Sequence, residues 1–124
     1  MFTLTDCPCE GKTLDRLIQP AILAVLAKGP VHGYRLAARI GEIPGFARRK
    51  PDVSGIYRFL TTMERKGLVV AAWDTSAHGP AKKSYRITAD GRRCLARWIA
   101  SLEEYRRSIA TLLRLARQVE CVHA

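Results

Sequence analysis

Apolar residues recur along this chain at three- and four-residue steps, switch to two-residue steps near its middle, and then return to the longer period. The first rhythm runs through Leu17, Ile18, Ile22, Val25 and Leu26, one face of a helix that Thr13 is placed to cap. Pro20 falls inside this run and suits the first residue of the main helix, where its fixed φ and missing donor cost little. Gly29-Pro30 ends the segment. A second helix is predicted over His32 to Ile43, with Tyr34, Leu36, Ala37, Ile40 and Ile43 on its apolar face, Arg35 and Arg39 away from it, and Pro44-Gly45 closing it. Beyond the connector Phe46 to Pro51, Ser54 has the chemistry of an N-cap for a third helix whose Ile56, Phe59, Leu60 and Met63 share one side. Gly67 stops it, and Tyr57, Arg58, Thr61 and Arg65 are left facing outward.

Here the period shortens. Leu68 to Trp73 and Ser84 to Thr88 are short runs containing β-branched and aromatic residues, and the segment between them includes His78-Gly79-Pro80-Ala81-Lys82-Lys83. They predict a hairpin with a long, basic tip. Thr88 or Asp90 then caps a last helix in which Leu95, Trp98, Leu102, Tyr105, Ile109, Leu112, Ala116 and Val119 alternate steps of three and four. Ile99 and Leu113 widen that stripe. A three-helix core occupied by its own contacts cannot cover so long a seam, so a second copy of the chain is the expected partner. The order of helix, hairpin and helix from Asp52 to Gly91 is the pattern of a winged helix. The expected architecture is therefore mainly α with a small β-hairpin. It comprises an N-terminal arm over 1–12, a winged helix-turn-helix domain over 13–88, a long dimerisation helix over 89–120 and a tail over 121–124.

Charge narrows the function. The 124 residues carry 21 Lys and Arg against 11 Asp and Glu, a formal net charge of +10, with the excess mostly arginine. The planar arginine fork suits phosphates and guanine edges, so nucleic acid is the leading partner. A generically basic surface or attraction to anionic membrane would give the same total, and only position separates these readings. A major groove admits one helix. On the third helix Tyr57 and Thr61 have hydroxyls for phosphate oxygens, Arg58 and Arg65 reach phosphates or guanine edges, and the backbone N–H groups after Ser54 add an anion site. A solvated helix face would explain these residues if they stood alone. The adjacent hairpin, with Lys82 and Lys83 placed for the minor groove or neighbouring phosphates, favours DNA. Arg48, Arg49 and Lys50 in the connector are placed to extend the same footprint.

Other chemistry is thinly supported. No Gly-rich phosphate loop, H-E-x-x-H, nucleophile elbow or paired carboxylates occur, and His32, His78 and His123 stand in separate contexts, so an enzyme is not expected. His32, at a helix start, reads as a local cap or packing residue. The longest wholly apolar run, Ala21 to Ala27, is too short to span a bilayer, and Met1 to Asp6 has no secretory character; a cytoplasmic location is expected. Cys7, Cys9, Cys94 and Cys121 then read as free thiols, metal ligands or redox sensors. Cys7, Cys9, Cys121 and His123 form a candidate zinc set if the two ends of the chain meet, although neither spacing is the C-x-x-C turn usual in structural zinc sites.

From about Leu17 to Gly91 the chain resembles the PadR-type transcriptional regulators. The likeness lies in His32-Gly33-Tyr34, Ser54-Gly55-Ile56-Tyr57-Arg58-Phe59-Leu60, Glu64-Arg65-Lys66-Gly67-Leu68, the run Gly79-Pro80-Ala81-Lys82-Lys83-Ser84-Tyr85-Arg86-Ile87-Thr88 and Asp90-Gly91-Arg92. It implies a homodimeric repressor that grips a palindromic operator, with Ala89 to about Val119 making the dimer, as in the shorter subgroup with a single C-terminal helix. It assigns DNA-side roles to Tyr57, Arg58 and Lys82 or Lys83, and structural roles to Gly33, Tyr34 and Tyr85. It further implies that Trp98 and its symmetry mate line a cavity for a flat aromatic effector, against the plainer reading of a packed interface residue. N-terminal Cys-Pro-Cys openings also occur among PadR-like sequences. Thr61-Thr62 departs from the more basic pair of many relatives, so no operator sequence transfers. A protein-binding adaptor or anti-repressor on the same scaffold is the alternative.

Overall fold

The computed structural model describes residues 16–46, 53–75 and 79–123, with side chains described from 55 in the second segment and up to 119 in the third. The arm, Thr13, Arg48, Arg49, Lys50 and His78 lie outside these residues. The element order is α1 Ile18–Leu26, β1 Val31–His32, α2 Gly33–Gly41, α3 Val53–Arg65, β2 Val69–Asp74, β3 Lys82–Ile87 and α4 Ala89–His123. The strands form one antiparallel sheet in the order β1-β3-β2. Three short helices, this sheet and the first turns of α4 enclose the core.

That core is apolar throughout: Ile22, Leu23, Leu26, Leu36, Ile40, Leu60, Met63 and Val69 are fully covered, and Tyr85 joins them at 2% exposure. At roughly 1.5–3 kcal/mol for each large side chain buried, this cluster supplies the main drive for folding. Ile18, Val25, Ile43, Leu95 and Trp98 pack around its edge.

Several positions differ from the periodic reading. Pro20 is the third residue of α1, not the first, which the fold tolerates because no N–H in a helix's first turn has an intrahelical partner. His32 belongs to a third strand, β1, and occupies the N-cap position of α2 without a side-chain capping bond. Ser54 lies inside α3, which begins at Val53; Asp52, the residue before the helix, is an equally good cap type, and composition does not choose between the two. Phe59 is substantially exposed, because the buried side of α3 is the narrower stripe of Ile56, Leu60 and Met63. Lys82 and Lys83 stand in β3, paired with Asp74 and Trp73, so the ladder continues past the expected base of the loop. Helix α4 runs on through His123.

The end of α3 and the start of α4 are joined by a compact hydrogen-bonded junction. Gly67 adopts φ 76°, the left-handed conformation that closes a helix, with Leu68 N–H donating to Met63 O at 2.9 Å and Gly67 N–H to Glu64 O at 3.0 Å. Of the two candidate caps for α4, Thr88 is the one used. Its hydroxyl accepts from Gly91 N–H at 3.0 Å and donates to Gly67 O at 2.6 Å, so one side chain satisfies groups on both helices. Asp90 pairs instead with Arg93.

Gly91 sits tight against this junction: a Cβ there would stand 2.2 Å from Leu68 O and 2.7 Å from Ile87 Cγ1. Because the nearer obstacle is backbone, Gly91→Ala is expected to destabilise the fold by about 1–3 kcal/mol or more, read as a lowered thermal midpoint by circular dichroism. A wild-type midpoint would contradict this packing.

Candidate nucleic-acid interface

The outer face of α3 carries a shallow groove lined by Tyr57, Arg58, Thr61, Thr62 and Arg65. Four of these were expected from the sequence; Thr62 completes the set, and its place beside Arg58 follows from helical spacing. Both threonine hydroxyls donate back to their own helix, Thr61 to Tyr57 O at 2.9 Å and Thr62 to Arg58 O at 3.1 Å. In this arrangement Thr61 offers a lone pair and a methyl group, which suits a base-edge donor or a thymine methyl better than a phosphate. Ser54 falls in the first turn of α3, and its side chain lies outside those described.

Tyr57 is only half-exposed. Its ring lies against Gly33, where a Cβ would meet the hydroxyl oxygen and two ring carbons at 2.5–2.7 Å, and stands 6.5 Å from the Tyr85 ring at a 55° tilt. Gly33 thus makes room for Tyr57, and Tyr57 links the groove to the sheet. Burial raises the Tyr85 hydroxyl above its ordinary pKa, with Lys83 pulling partly in the opposite direction.

The basic strand is held by aromatic faces. Lys83 Nζ lies 5.5 Å from the centre of the Tyr85 ring, and Lys82 Nζ 5.3 Å from that of Tyr34. Tyr34 therefore does not fill the core as expected. It is 49% exposed and stacks on His32, with ring centres 5.9 Å apart, because the buried side of α2 is the stripe of Leu36, Ala37 and Ile40. His32 Nε2 stands 3.2 Å from Asp74 Oδ2, bracing β1 against the far end of β2 across the middle strand. A two-residue strand has no period to detect, so only pairing in space reveals this brace.

The predicted dimer seam divides. Leu95 and Trp98 pack on the protomer's own core, and the Trp98 indole N–H donates to Gln19 Oε1 at 3.0 Å. Leu102 is half-buried at the point where α4 leaves the domain, whereas Tyr105, Ile109 at 62% and Leu112 at 66% are exposed together with Ile99, Leu113, Leu115 and Val119. The 35-residue helix is about 50 Å long, and among the described residues none covers the apolar side chains of its second half. Among the described residues no three His, Cys, Asp or Glu side chains could hold a metal together. The candidate zinc ligands lie outside that search, Cys7 and Cys9 altogether and Cys121 and His123 in their side chains. Cys94 is a half-buried free thiol at the core's edge. No described helix is long and apolar enough to cross a membrane.

Comparison with known proteins agrees with this geometry. Residues 22–97 match the model of the transcriptional regulator PadR-like family. A probable transcriptional regulator of Mycobacterium tuberculosis is 39% identical over 80 residues, covering 64% of this chain and 42% of that protein. A PadR-like transcriptional regulator from Bacillus cereus superposes with a TM-score of 0.71 at 24% identity, covering 82% of this chain and 96% of the other. Bacillus subtilis PadR, solved in complex with operator DNA, superposes with a TM-score of 0.59 at 27% identity, covering 68% of this chain and 47% of the other. The match thus spans under half of the M. tuberculosis and B. subtilis proteins and nearly all of the B. cereus chain.

The contact between Gly33 and Tyr57 yields a direct expectation. In Gly33→Ala the tyrosine ring must swing away from α2, so duplex affinity should fall about tenfold while the thermal midpoint drops by only a few degrees. Unchanged affinity would mean that the position of Tyr57 is immaterial to DNA binding.

Proposed function

The chain belongs to the transcriptional regulator PadR-like family, and on that premise, with Bacillus subtilis PadR solved on operator DNA, we propose that it acts as a homodimeric repressor reading a palindromic operator. The observation that carries this reading is the packing of Tyr57 against the buried Tyr85, which holds the α3 groove and the basic strand of the wing in one rigid body. Arg58 and Arg65 engage phosphates or guanine edges, Thr61 and Thr62 line the base-reading side, and Lys82 and Lys83 add affinity at the backbone. The amides around Ser54 in the first turn of α3 point toward an anion there. Occupation of an operator blocks polymerase by exclusion and requires no surface beyond the one that holds DNA.

The exposed half of α4 supplies the second subunit's seat. Ile109 and Leu112, with Tyr105 and Leu102 on the same seam, match the spacing of paired helices, and a symmetric pair buries both stripes at once. Two copies then hold their α3 helices about 34–36 Å apart, one turn of DNA. Trp98, half-covered on the part of α4 that packs on α1, is the candidate contact for an aromatic effector, since a ring stacked there would lie between the dimer helix and the DNA-binding domain.

Binding to duplex DNA should weaken steeply with salt. Lys82→Ala and Lys83→Ala should each reduce the slope of log affinity against log salt by about 0.9 if one phosphate contact is lost. A slope identical to wild type in both variants would remove the wing from the interface. Ile109→Asp and Leu112→Asp should leave the monomer folded and weaken dimerisation by about 100-fold or more, measured by sedimentation at micromolar concentration. An unaltered dimer in both would place the interface elsewhere.

A further inference from the structure

One large apolar side chain near the reading surface is explained by neither the core nor the dimer. Trp73 is 65% exposed, at the far end of β2. The strand register explains why. Val69 pairs with Ile87, Ala71 with Tyr85 and Trp73 with Lys83, and strand alternation turns all six toward the same face. The first two pairs meet the helices, whereas in the third, beyond the last core residue, the Trp73 ring is largely uncovered by the described residues. That face is also the one from which Tyr85 reaches Tyr57 on α3. The α3 groove is therefore linked to Trp73 through packed side chains, Tyr57 on the buried Tyr85 ring and Lys83 over that ring and paired with Trp73. Lys83 is the cation on the indole's own face, while Lys82 and Arg86 add positive charge on the opposite face of the same strand.

A flat apolar ring beside an ammonium group matches the wall of a DNA groove, where deoxyribose supplies an apolar face flanked by phosphate charges. We propose that Trp73 is a DNA-contacting residue of the wing, packing its indole on the sugar wall of the groove while Lys83 engages the adjacent phosphate. The proposal rests on the DNA-binding reading and adds to it an apolar, sequence-tolerant contact. A protein partner would be a poorer occupant, because the paired strand β3 carries Lys82, Lys83 and Arg86 and packs through Tyr85 onto the helix assigned to DNA. The contact also gives the wing a depth preference: the ring is covered only when the hairpin sits in the groove, whereas long-range attraction acts at any depth.

The test uses the full chain and a mixed-sequence duplex of about 30 base pairs at low salt, long enough for two half-sites one turn apart. Trp73→Ala should retain the wild-type thermal midpoint, because the side chain lies outside the core, and should bind about tenfold more weakly with an unchanged salt slope. Trp73→Phe should recover most of that loss. Acrylamide quenching of the wild type supplies a second readout: the readily quenched emission, identified by its absence from the Trp73→Ala protein, should become protected when duplex is added. Unchanged affinity for Trp73→Ala, together with an indole still open to quencher in the saturated complex, would overturn the proposal while leaving DNA binding intact. Absence of salt-dependent duplex binding by the wild type would overturn the underlying reading and the proposal with it.

Discussion

Tyr85 is the residue on which the arrangement depends. It lies in the middle strand, in register with Val31 on one side and Ala71 on the other, so a single position holds both outer strands. Its ring is buried in the core, meets Tyr57 of α3 and lies under the Lys83 ammonium group. A large, rigid aromatic at such a crossing fixes several elements at once, because moving any of them opens a void or exposes the ring. Helix α3 and the β2–β3 hairpin are accordingly parts of one packed body, and no loop has to place one relative to the other.

The second constraint lies at the base of the hairpin. Thr88 caps α4 while donating to the carbonyl of Gly67 at the end of α3, and Gly91 allows the first turn of α4 to approach Leu68 closely. Leu95 and Trp98 then continue the contact onto α1 side chains. The direction in which α4 leaves the domain is set within a few residues of the wing and the C-terminal end of the reading helix. Whatever holds the distal half of α4 therefore also sets where the α3 groove points. In a symmetric pair, that geometry determines the spacing between the two reading heads.

Much of this is legible in the residues, and the differences arise where contacts distant in sequence decide a residue's place. Helical periodicity located α1, α2, α3 and α4, Gly67 marked its stop, and the change of period marked the hairpin. Apolar type alone did not decide inside from outside. Tyr34 and Phe59 sit on the apolar stripes of their helices yet face solvent, while Tyr57 lines the outer groove and also packs over Gly33. Tyr34 has a polar hydroxyl that water accepts, and Phe59 lies just outside the narrow buried stripe of α3, so the deciding quantity is the space left by neighbours on other elements. β1 escaped notice because two residues carry no rhythm. Lys82 and Lys83 were assigned to a loop because positive charge resembles loop composition, whereas cross-strand pairing keeps them in the ladder.

The sequence by itself determined the fold class, the long amphipathic α4 and the concentration of positive charge around a helix and a hairpin, since each follows from short-range spacing and local composition. The tertiary structure decided which side chains share a surface. It brought Tyr57 to Tyr85, His32 to Asp74 and Trp98 to Gln19, and left Trp73 standing clear of the core. These partners are 28, 42 and 79 residues apart in the chain, counting 85 less 57 for the first pair. Contacts at such separations depend on how volumes fill a shared interior, and no local pattern encodes that.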